Sequence, residues 1–407
     1  MANDTIPTLQ WLSNQIEKLD TDLLRQMLKV IVEFLMGLEA DGRCGAVFGQ
    51  KSDQRVNHRN GYRQRRWDTR LGTIPLELPR LRKGSYFPEW LLTPRRRAEK
   101  ALVQVVSESY VNGVSTRRVD RLAAAMGIEG ISKSQVSEMA KSLDEIVDDF
   151  RHRPLDRGPY RYLWVDAIVQ RCREGGRVVN VTAVTATGVN ADGRRELLGL
   201  DVFTSEDEAA WETFFNALVA RGLSGVELVI SDAHKGLKAA IAKTFIGTSW
   251  QRCRTHFARN LLAKVPKAAQ DFVAALNRSI FAQPNQREVW AQHRRVVDQL
   301  AERFRDAAQL LEDAAEDILA FAAFPKSHWR QIWSNNPQER LNREIRRRTD
   351  VVSIFPNRQA IIRLIGAVLA EQNDEWCCAR RYMSLDSLKI IHSKKPDEIV
   401  RQERIAA

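Results

Sequence analysis

The sequence predicts an α/β protein that is preceded by a mostly helical region. Two patterns carry this prediction. Between residues 160 and 253, apolar and β-branched runs alternate with turn residues and helical periods, whereas residues 257–331 show helical periods alone. Continuous apolar runs bounded by turn signals are typical of buried strands, and spacings of three and four residues are typical of helices. The 407 residues are enough for two or three domains.

The composition is that of a globular protein with a polyanionic partner. Hydrophobic residues make up 44% and charged residues 28% of the chain, and its net charge is +12. Lysine and arginine neutralise phosphates and release counterions, so the charge favours nucleic acid as the partner. The five cysteines show no disulfide spacing, which favours a reducing compartment. We expect no membrane partner, because no apolar run is long enough to cross a bilayer.

The first 54 residues are predicted to be helical. Apolar residues recur between Leu23 and Leu38 at steps of three and four, as on one face of a helix. This face either packs on the body of the protein or forms a dimer contact, and the pattern does not decide between the two.

Residues 55–97 form a basic segment in which cations are mixed with aromatic residues. Its candidate DNA-binding residues are Arg59, Arg63, Arg65 and Arg66. Cations beside aromatic rings suit phosphate contacts and base stacking, although a solvated basic face would have the same composition. Within the segment, residues 72–80 alternate and are bounded by prolines, which indicates a short edge strand.

Residues 98–155 have the pattern of a helix-turn-helix region. Gly113 ends one predicted helix, Ser115 is a candidate cap for the second, and Ser132 for the third. The first turn of the third helix contains Lys133 and Gln135, side chains that reach base edges from a recognition helix. A plain helical spacer is the alternative.

Residues 156–256 are predicted to hold five strands. The first three are joined as hairpins, and a helix that starts with a Ser205-x-x-Glu208 capping box leads to the fourth. This is the order of an RNase H-like sheet, in which an acid within the first strand lies beside an acid at the end of the fourth. Here those acids are Asp166 and Asp232. Asp232 also suits the N-cap of the helix that follows it, and His234 is predicted to be a capping or surface residue.

Residues 257–331 are predicted to form an all-α insertion, and the core resumes at residues 332–382. There, Asn336 and Pro337 suit the N-cap and first position of a helix. Glu339, Asn342, Arg343 and Arg346 fall on one face of that helix and offer a carboxylate, an amide and two guanidiniums. A capping box or a solvated charged helix is the plainer interpretation. Residues 383–407 form a polar tail.

The three acids Asp166, Asp232 and Glu339 suggest a metal centre that acts on phosphodiesters. Clustered carboxylates bind two divalent ions in this chemistry, and hard oxygen ligands select Mg²⁺ or Mn²⁺. The competing metal pattern is Cys253-x-x-His256, which has the spacing of half a zinc site. Two more ligands would be needed, and the sequence offers no second pair at such spacing.

Eight motifs in one order resemble the transposases of Mutator-like bacterial insertion sequences. They are Arg59-Asn-Gly-Tyr-Arg63, Gly113-Val-Ser-Thr-Arg117, Gly130-Ile-Ser-Lys-Ser-Gln-Val136, Leu163-Trp-Val-Asp166-Ala, Gly188-Val-Asn-Ala-Asp-Gly-Arg-Arg195, Val229-Ile-Ser-Asp232-Ala-His-Lys-Gly-Leu-Lys238, Gln251-Arg-Cys-Arg-Thr-His256 and Asn336-Pro-x-Glu339-Arg-Leu-Asn-x-Glu-Ile-Arg-Arg-Arg-Thr-Asp350-Val-Val. One departure is mild: Ile168-Val169 stands where the family often has Thr-Tyr.

The resemblance implies an RNase H-like core whose Asp-Asp-Glu triad is Asp166, Asp232 and Glu339. It implies that Cys253 and His256 lie near this core instead of binding zinc. The implied activity is cleavage at terminal inverted repeats followed by transfer to target DNA, in the bacterial cytoplasm at the nucleoid. Joining two ends implies a homodimer or larger assembly. A nuclease or resolvase without strand transfer, and a DNA-binding protein derived from a transposase, are the alternatives.

Overall fold

The computed structural model divides the chain into two compact units, Met1–Ser142 and Leu143–Ala407. The residues that the structure describes are 21–92, 98–114, 116–128, 133–141 and 143–391. Among these residues, no helix combines the length and apolar character needed to cross a membrane.

In the first unit, a long helix packs on a two-stranded sheet. Helix α1 (Thr21–Cys44) lies on strands β1 (Arg59–Thr69) and β2 (Gly72–Leu81), which pair antiparallel. Their shared core contains Val32, Met36, Trp67, Ile74 and Leu76. Strand β2 confirms the predicted edge strand. The region is less helical than predicted, because the basic segment forms strand β1.

Three short helices complete the described part of this unit. They are α2 (Lys100–Val111), α3 (Thr116–Ala125) and α4 (Lys133–Ala140), and they share an apolar core that includes Leu102 and Val119. Gly113 follows α2 with a φ of 77°, a conformation that glycine adopts without strain. The predicted caps Ser115 and Ser132 lie outside the described residues.

The second unit is built on a five-stranded mixed sheet, which follows helix α5 (Leu143–His152). The strands are β3 (Tyr162–Glu174), β4 (Arg177–Val189), β5 (Arg195–Phe203), β6 (Leu228–Ser231) and β7 (Ser249–Arg252). Their spatial order is β5-β4-β3-β6-β7, with β3, β4 and β5 antiparallel and β6 and β7 parallel to β3. The five predicted strands are therefore present.

One side of the sheet packs on helices α6 (Glu208–Ala220) and α7 (Lys235–Thr244). The predicted capping box at the start of α6 is wrong, because Asp207 caps the helix by accepting from the Ala210 amide. Ser205 instead bonds to the Asp207 carboxylate. The observed cap, Asp207, lies two residues after Ser205, the cap that the predicted box requires.

The stretch after the sheet is helical, as predicted for residues 257–331. Its α-helices are α8 (Arg254–Leu262), α9 (Gln270–Phe281), α10 (Gln286–Ala301), α11 (Arg305–Asp313), α12 (Ala315–Leu319) and α13 (Trp329–Ile332), with short 3₁₀ turns between them. These helices and the strands share one apolar cluster, in which Tyr162 and Trp164 of β3 meet Phe257 of α8. The helical stretch thus covers the second side of the sheet.

Helices α14 (Asn336–Thr349), α15 (Arg358–Cys378) and α16 (Leu385–Ile391) end the described chain. Helix α14 begins one residue earlier than predicted, with Asn335 in the cap position and Pro337 within the first turn. Buried Ile361, Leu364 and Val368 confirm the predicted buried helix α15. Arg363 interrupts that apolar run and forms a two-pronged ion pair with Asp144.

Candidate active site

The sheet register places Asp166 and Asp232 side by side. Trp164 of β3 pairs with Ile230 of the parallel strand β6, and each acid lies two residues further along its own chain. Ligand sites of open α/β sheets lie at the carboxyl ends of their strands, and Asp232 directly follows β6. The predicted proximity of these two acids is therefore built into the register.

Asp232 does not cap the helix that follows it. The cap of α7 is His234, whose ring Nδ1 accepts from the Leu237 amide at 3.3 Å. This geometry confirms the prediction that His234 is a capping residue. It also leaves the Asp232 carboxylate available for other partners.

His256 brings Asp232 and Glu339 together. It lies in α8, and its Nδ1 atom is in close contact with Asp232 Oδ1 and 3.6 Å from Glu339 Oε1. Glu339 itself lies in the first turn of α14. One imidazole thus contacts the two carboxylates that are 107 residues apart in sequence.

Asn342 connects the same helix to the third acid. Its side-chain amide donates to Asp166 Oδ2 at 2.5 Å, while the Ala167 amide donates to Asp166 Oδ1 at 2.9 Å. Asn342 lies one helical turn after Glu339 and is buried. The helix that carries Glu339 therefore also orients Asp166.

Burial and neighbouring carboxylates raise the pKa of Asp166 and of Asp232. Burial raises the pKa of Asp166 to about 7, and the negative charges of Asp232 and Glu339 add to this effect against the Ala167 hydrogen bond. Burial also raises the pKa of Asp232, which His256 lowers and Glu339 raises. Charges that disfavour one another in this way are stabilised by a nearby cation.

Several oxygens at this site are buried without a hydrogen-bond donor among the described residues. They are Asp232 Oδ1, Asn335 Oδ1, Glu339 Oε1 and Asn342 Oδ1. The contact between His256 and Asp232 is close, but it lacks hydrogen-bond geometry, and His256 Nδ1 is equally unpartnered. A set of buried oxygens with few donors has the chemistry of a hard-cation site.

Buried polar side chains fix the start of α14 against the sheet. Gln338 bridges two threonines of β4: its amide donates to Thr185 Oγ1, and its carbonyl accepts from Thr187 Oγ1 at 2.7 Å. Asn335 donates to the Val165 carbonyl at 3.2 Å. Val165 and Gln338 are the immediate neighbours of Asp166 and Glu339, so these bonds set the positions of both acids.

Cys253 takes part in this anchoring. Its buried sulfur accepts a hydrogen bond from the backbone amide of Asn335 at 3.2 Å. Asp232, Cys253 and His256 each offer a ligand atom, and these atoms lie within 4.8 Å of one another. Burial raises the pKa of the Cys253 thiol, however, which disfavours the thiolate that binds zinc. The contacts favour a structural thiol beside the acids.

The candidate DNA-binding arginines of β1 differ in their surroundings. The Arg59 guanidinium is buried, pairs with Asp41 at 2.8 Å and bonds to the Gly37 carbonyl. Arg63 is exposed and donates to the Tyr86 carbonyl at 3.1 Å, and Arg65 lies 5.2 Å from the Phe87 ring centre. Arg66 is also exposed. Arg59 thus connects β1 to α1, and this structural role could not be predicted from the residues next to it in the sequence.

The remaining candidates lie on α4 and α14. Lys133 begins α4, with its side chain outside the described set, and Gln135 is partly buried. Arg343 and Arg346 are exposed on α14, and the prediction omitted the exposed Arg340 of the same helix.

Sequence reasoning missed Glu206 and the anchoring residue Gln338. The Glu206 carboxylate is 3.9 Å from His234, and its charge contributes to the raised pKa of Asp166. Burial raises the pKa of Glu206 as well. No spacing in the sequence marks either residue, because each acts on a strand or turn that is distant along the chain.

Comparison with known proteins identifies relatives along nearly the full length. The family described as "Transposase, Mutator family" matches residues 2–379. Over 387 residues the chain is 57% identical to the transposase for insertion sequence element IS1081 of Mycobacterium tuberculosis, covering 95% of this chain and 93% of that protein. It is 37% identical over 370 residues to the transposase for IS256 in transposon Tn4001 of Staphylococcus aureus, covering 90% and 94% of the two chains.

Proposed function

The chain belongs to the Mutator family of transposases, and we propose that it moves an insertion sequence by metal-dependent DNA cleavage and strand transfer. In this proposal it binds the terminal inverted repeats of the element and joins them to target DNA. The observation that carries the proposal is the convergence of Asp166, Asp232 and Glu339 from two neighbouring strands and a helix. His256 and Asn342 supply the contacts that connect the three acids.

The catalytic core is proposed to be RNase H-like, with an all-α insertion between Asp232 and Glu339. Support comes from the sheet order β5-β4-β3-β6-β7, in which three antiparallel strands are followed by two parallel ones. The first acid lies on the central strand β3 and the second at the end of its neighbour β6. The helices α8 to α13 then fill the interval before the third acid.

The residues fit divalent metal ions. Asp166, Asp232 and Glu339 would hold them, because buried carboxylate oxygens without donors are ligands that Mg²⁺ or Mn²⁺ prefers. Two ions, as this chemistry expects, would activate the attacking oxygen and stabilise the leaving one.

The protein's own side chains orient the reacting groups. Asn342 and the Ala167 amide hold both oxygens of Asp166, so its carboxylate cannot rotate freely. Gln338 fixes the helix turn that presents Glu339. Exposed Arg340, Arg343 and Arg346 on the same helix would contact DNA phosphates and keep the strand at the acids.

The test is a strand-transfer assay with labelled terminal-repeat DNA and Mg²⁺. We expect Asp232→Asn to bind this DNA like the native chain but to neither cleave nor join it. The matched control is Asp192→Asn, which alters an exposed aspartate in the β4–β5 hairpin and should leave all three steps intact.

Each rival function has its own result in this assay. A nuclease or resolvase would cleave without joining, and a DNA-binding protein derived from a transposase would bind without cleaving. Full activity of Asp232→Asn would show that the metal-site assignment is wrong.

A further inference from the structure

Helix α1 has a second apolar face, opposite the one that packs on the sheet. Its side chains are Leu23, Met27, Val30, Ile31, Phe34, Leu35 and Leu38, and each is between 42% and 66% exposed. Steps of three, four and seven residues place them along one side of the helix. Scattered exposed apolar residues are common, but a continuous stripe marks an interaction site.

The charges of this helix are directed away from that face. Between Leu23 and Leu38 the charged residues are Arg25, Lys29 and Glu33. Arg25 donates to the Leu71 carbonyl at 2.9 Å, and Glu33 accepts from the Glu77 amide at 2.8 Å. Lys29 pairs with Glu33 at 3.8 Å. The charged side chains of α1 therefore lie toward the sheet, and the outer face lacks charge, as the centre of a protein interface does.

The outer face is nearly symmetric about the midpoint between Val30 and Ile31. When the helix is laid against a reversed copy of itself about this point, six of its seven apolar residues meet apolar residues, and Leu35 meets Gln26. The pairs are Leu23 with Leu38, Met27 with Phe34, and Val30 with Ile31. Such self-complementarity is what a two-fold interface requires, because both copies use one patch.

We propose that this face of α1 binds the same face of a second copy of the chain, with the two helices antiparallel. The stripe from Leu23 to Leu38 is roughly 22 Å long at 1.5 Å per residue. Aromatic side chains bury roughly 150–250 Å² each when fully covered, which sets the upper end of the scale for these residues. The seven side chains are about half exposed, so at about 100 Å² each the two copies remove on the order of 1,400 Å² from water, within the range of stable complexes.

Introducing opposite charges at two paired positions tests this geometry. Met27→Lys places a cation opposite Phe34 of the other copy, and Phe34→Glu places a carboxylate opposite Met27. We expect sedimentation equilibrium of the full-length chain without DNA to show a dimer. Each single variant should weaken dimerisation at least about 100-fold, because a buried charge lacks a partner. The double variant should return to within about tenfold of the native chain, because the introduced charges then pair twice.

Other arrangements give different results. A parallel pair would set lysine against lysine, so the double variant would not recover. If residues 1–20 or an unrelated protein cover the outer face of α1, the native chain would be monomeric. Either result, or single variants that dimerise normally, overturns the proposal.

The controls separate interface loss from unfolding. Ile246→Lys changes a highly exposed isoleucine of the other unit and should leave dimerisation unchanged. Circular dichroism checks folding, and the neutral double variant Val30→Ser with Ile31→Ser serves as a second probe if a charge disturbs the helix. Because DNA is absent, the result is independent of the proposed catalytic function, and Asp232→Asn should dimerise normally.

Discussion

Helix α14 buries polar side chains, whereas helix α1 exposes apolar ones. On α14, Gln338 and Asn342 are buried, and their amides reach strands β4 and β3. On α1, Met36 is buried against the sheet, while Phe34, two residues away, faces solvent. Both helices depart from the ordinary amphipathic pattern, and they depart in opposite directions.

The difference separates two uses of a helix. Burying a polar group costs free energy unless it is hydrogen-bonded, and the buried amides of Gln338 and Asn342 have partners on the sheet, which hold α14 beside the acids. Exposing an apolar stripe costs solubility unless something covers it, so α1 points outward to a partner. Departures from amphipathic patterning therefore mark the proposed active site in one unit and the proposed contact surface in the other.

Glu339→Gln should separate activity from stability most strongly. Loss of one carboxylate from a metal site removes several kcal/mol of transition-state stabilisation, so strand cleavage should fall at least about 1,000-fold. The melting temperature without metal should not fall, because the variant removes a negative charge that opposes Asp166 and Asp232. Kinetics and calorimetry on one preparation measure both. A clear fall in melting temperature would instead assign Glu339 a structural role.

Met36→Ala and Phe34→Ala should distinguish the two faces of α1. Met36 is fully buried, so its truncation should lower the free energy of unfolding by about 2–5 kcal/mol. Phe34 is exposed, so its truncation should change the unfolding of a diluted, monomeric sample by no more than about 0.5 kcal/mol. Urea unfolding at low protein concentration gives both values. Equal costs would contradict the division of α1 into an inner and an outer face.

Gln338→Leu should weaken both stability and activity. The two threonines of β4 would lose their amide partner, at a cost of about 1–3 kcal/mol. Displacement of the neighbouring Glu339 should lower the cleavage rate at saturating DNA without a comparable loss of DNA affinity. The control Gln309→Leu removes an exposed amide that bonds only within its own helix, and it should be close to neutral. An active, destabilised variant would limit Gln338 to a structural role.

The stability of the metal-free protein should depend on pH through Asp166. Because the pKa of folded Asp166 is raised to about 7, the folded chain retains a proton that the unfolded chain has already released above about pH 4. Asp166 therefore makes the metal-free protein less stable as the pH rises from about 4 to about 7. Asp166→Asn should flatten this decline, which thermal unfolding in chelator at several pH values measures. An unchanged slope would show that another group is responsible.

The sequence predicted elements whose signals are local. The apolar period of α15, the strand before Asp232 and the helical stretch at residues 257–331 follow from spacing alone. Spacing reports which side of an element is buried. The prediction that Asp166 and Asp232 lie side by side came from the order of the strands and helices along the chain.

Features that depend on a distant partner were missed. Gln338 is polar and lies in a charged helix, so nothing local marks it as buried; its partners, Thr185 and Thr187, are about 150 residues earlier. The basic segment was not predicted as strand β1 because residues 60–64 are all exposed and burial begins only at Trp67, so no alternation of apolar and polar residues marks the strand. His234 caps α7, although Asp232 was equally suited to that role by residue type, because the helix begins at Lys235.

The helical stretch between Asp232 and Glu339 has a consequence during protein synthesis. A ribosome adds about 5–20 residues per second, so Glu339 leaves the peptidyl-transferase centre roughly 5–20 s after Asp232. The helices of this stretch supply most of the apolar cluster under the sheet before α14 is made, and Met383 and Leu388 join it later. A nascent or truncated chain that stops within these helices has Asp166 and Asp232 but lacks Glu339. Translation itself thus separates the synthesis of the first two acids from that of the third, and the proposed cleavage of DNA cannot begin before Glu339 has been made.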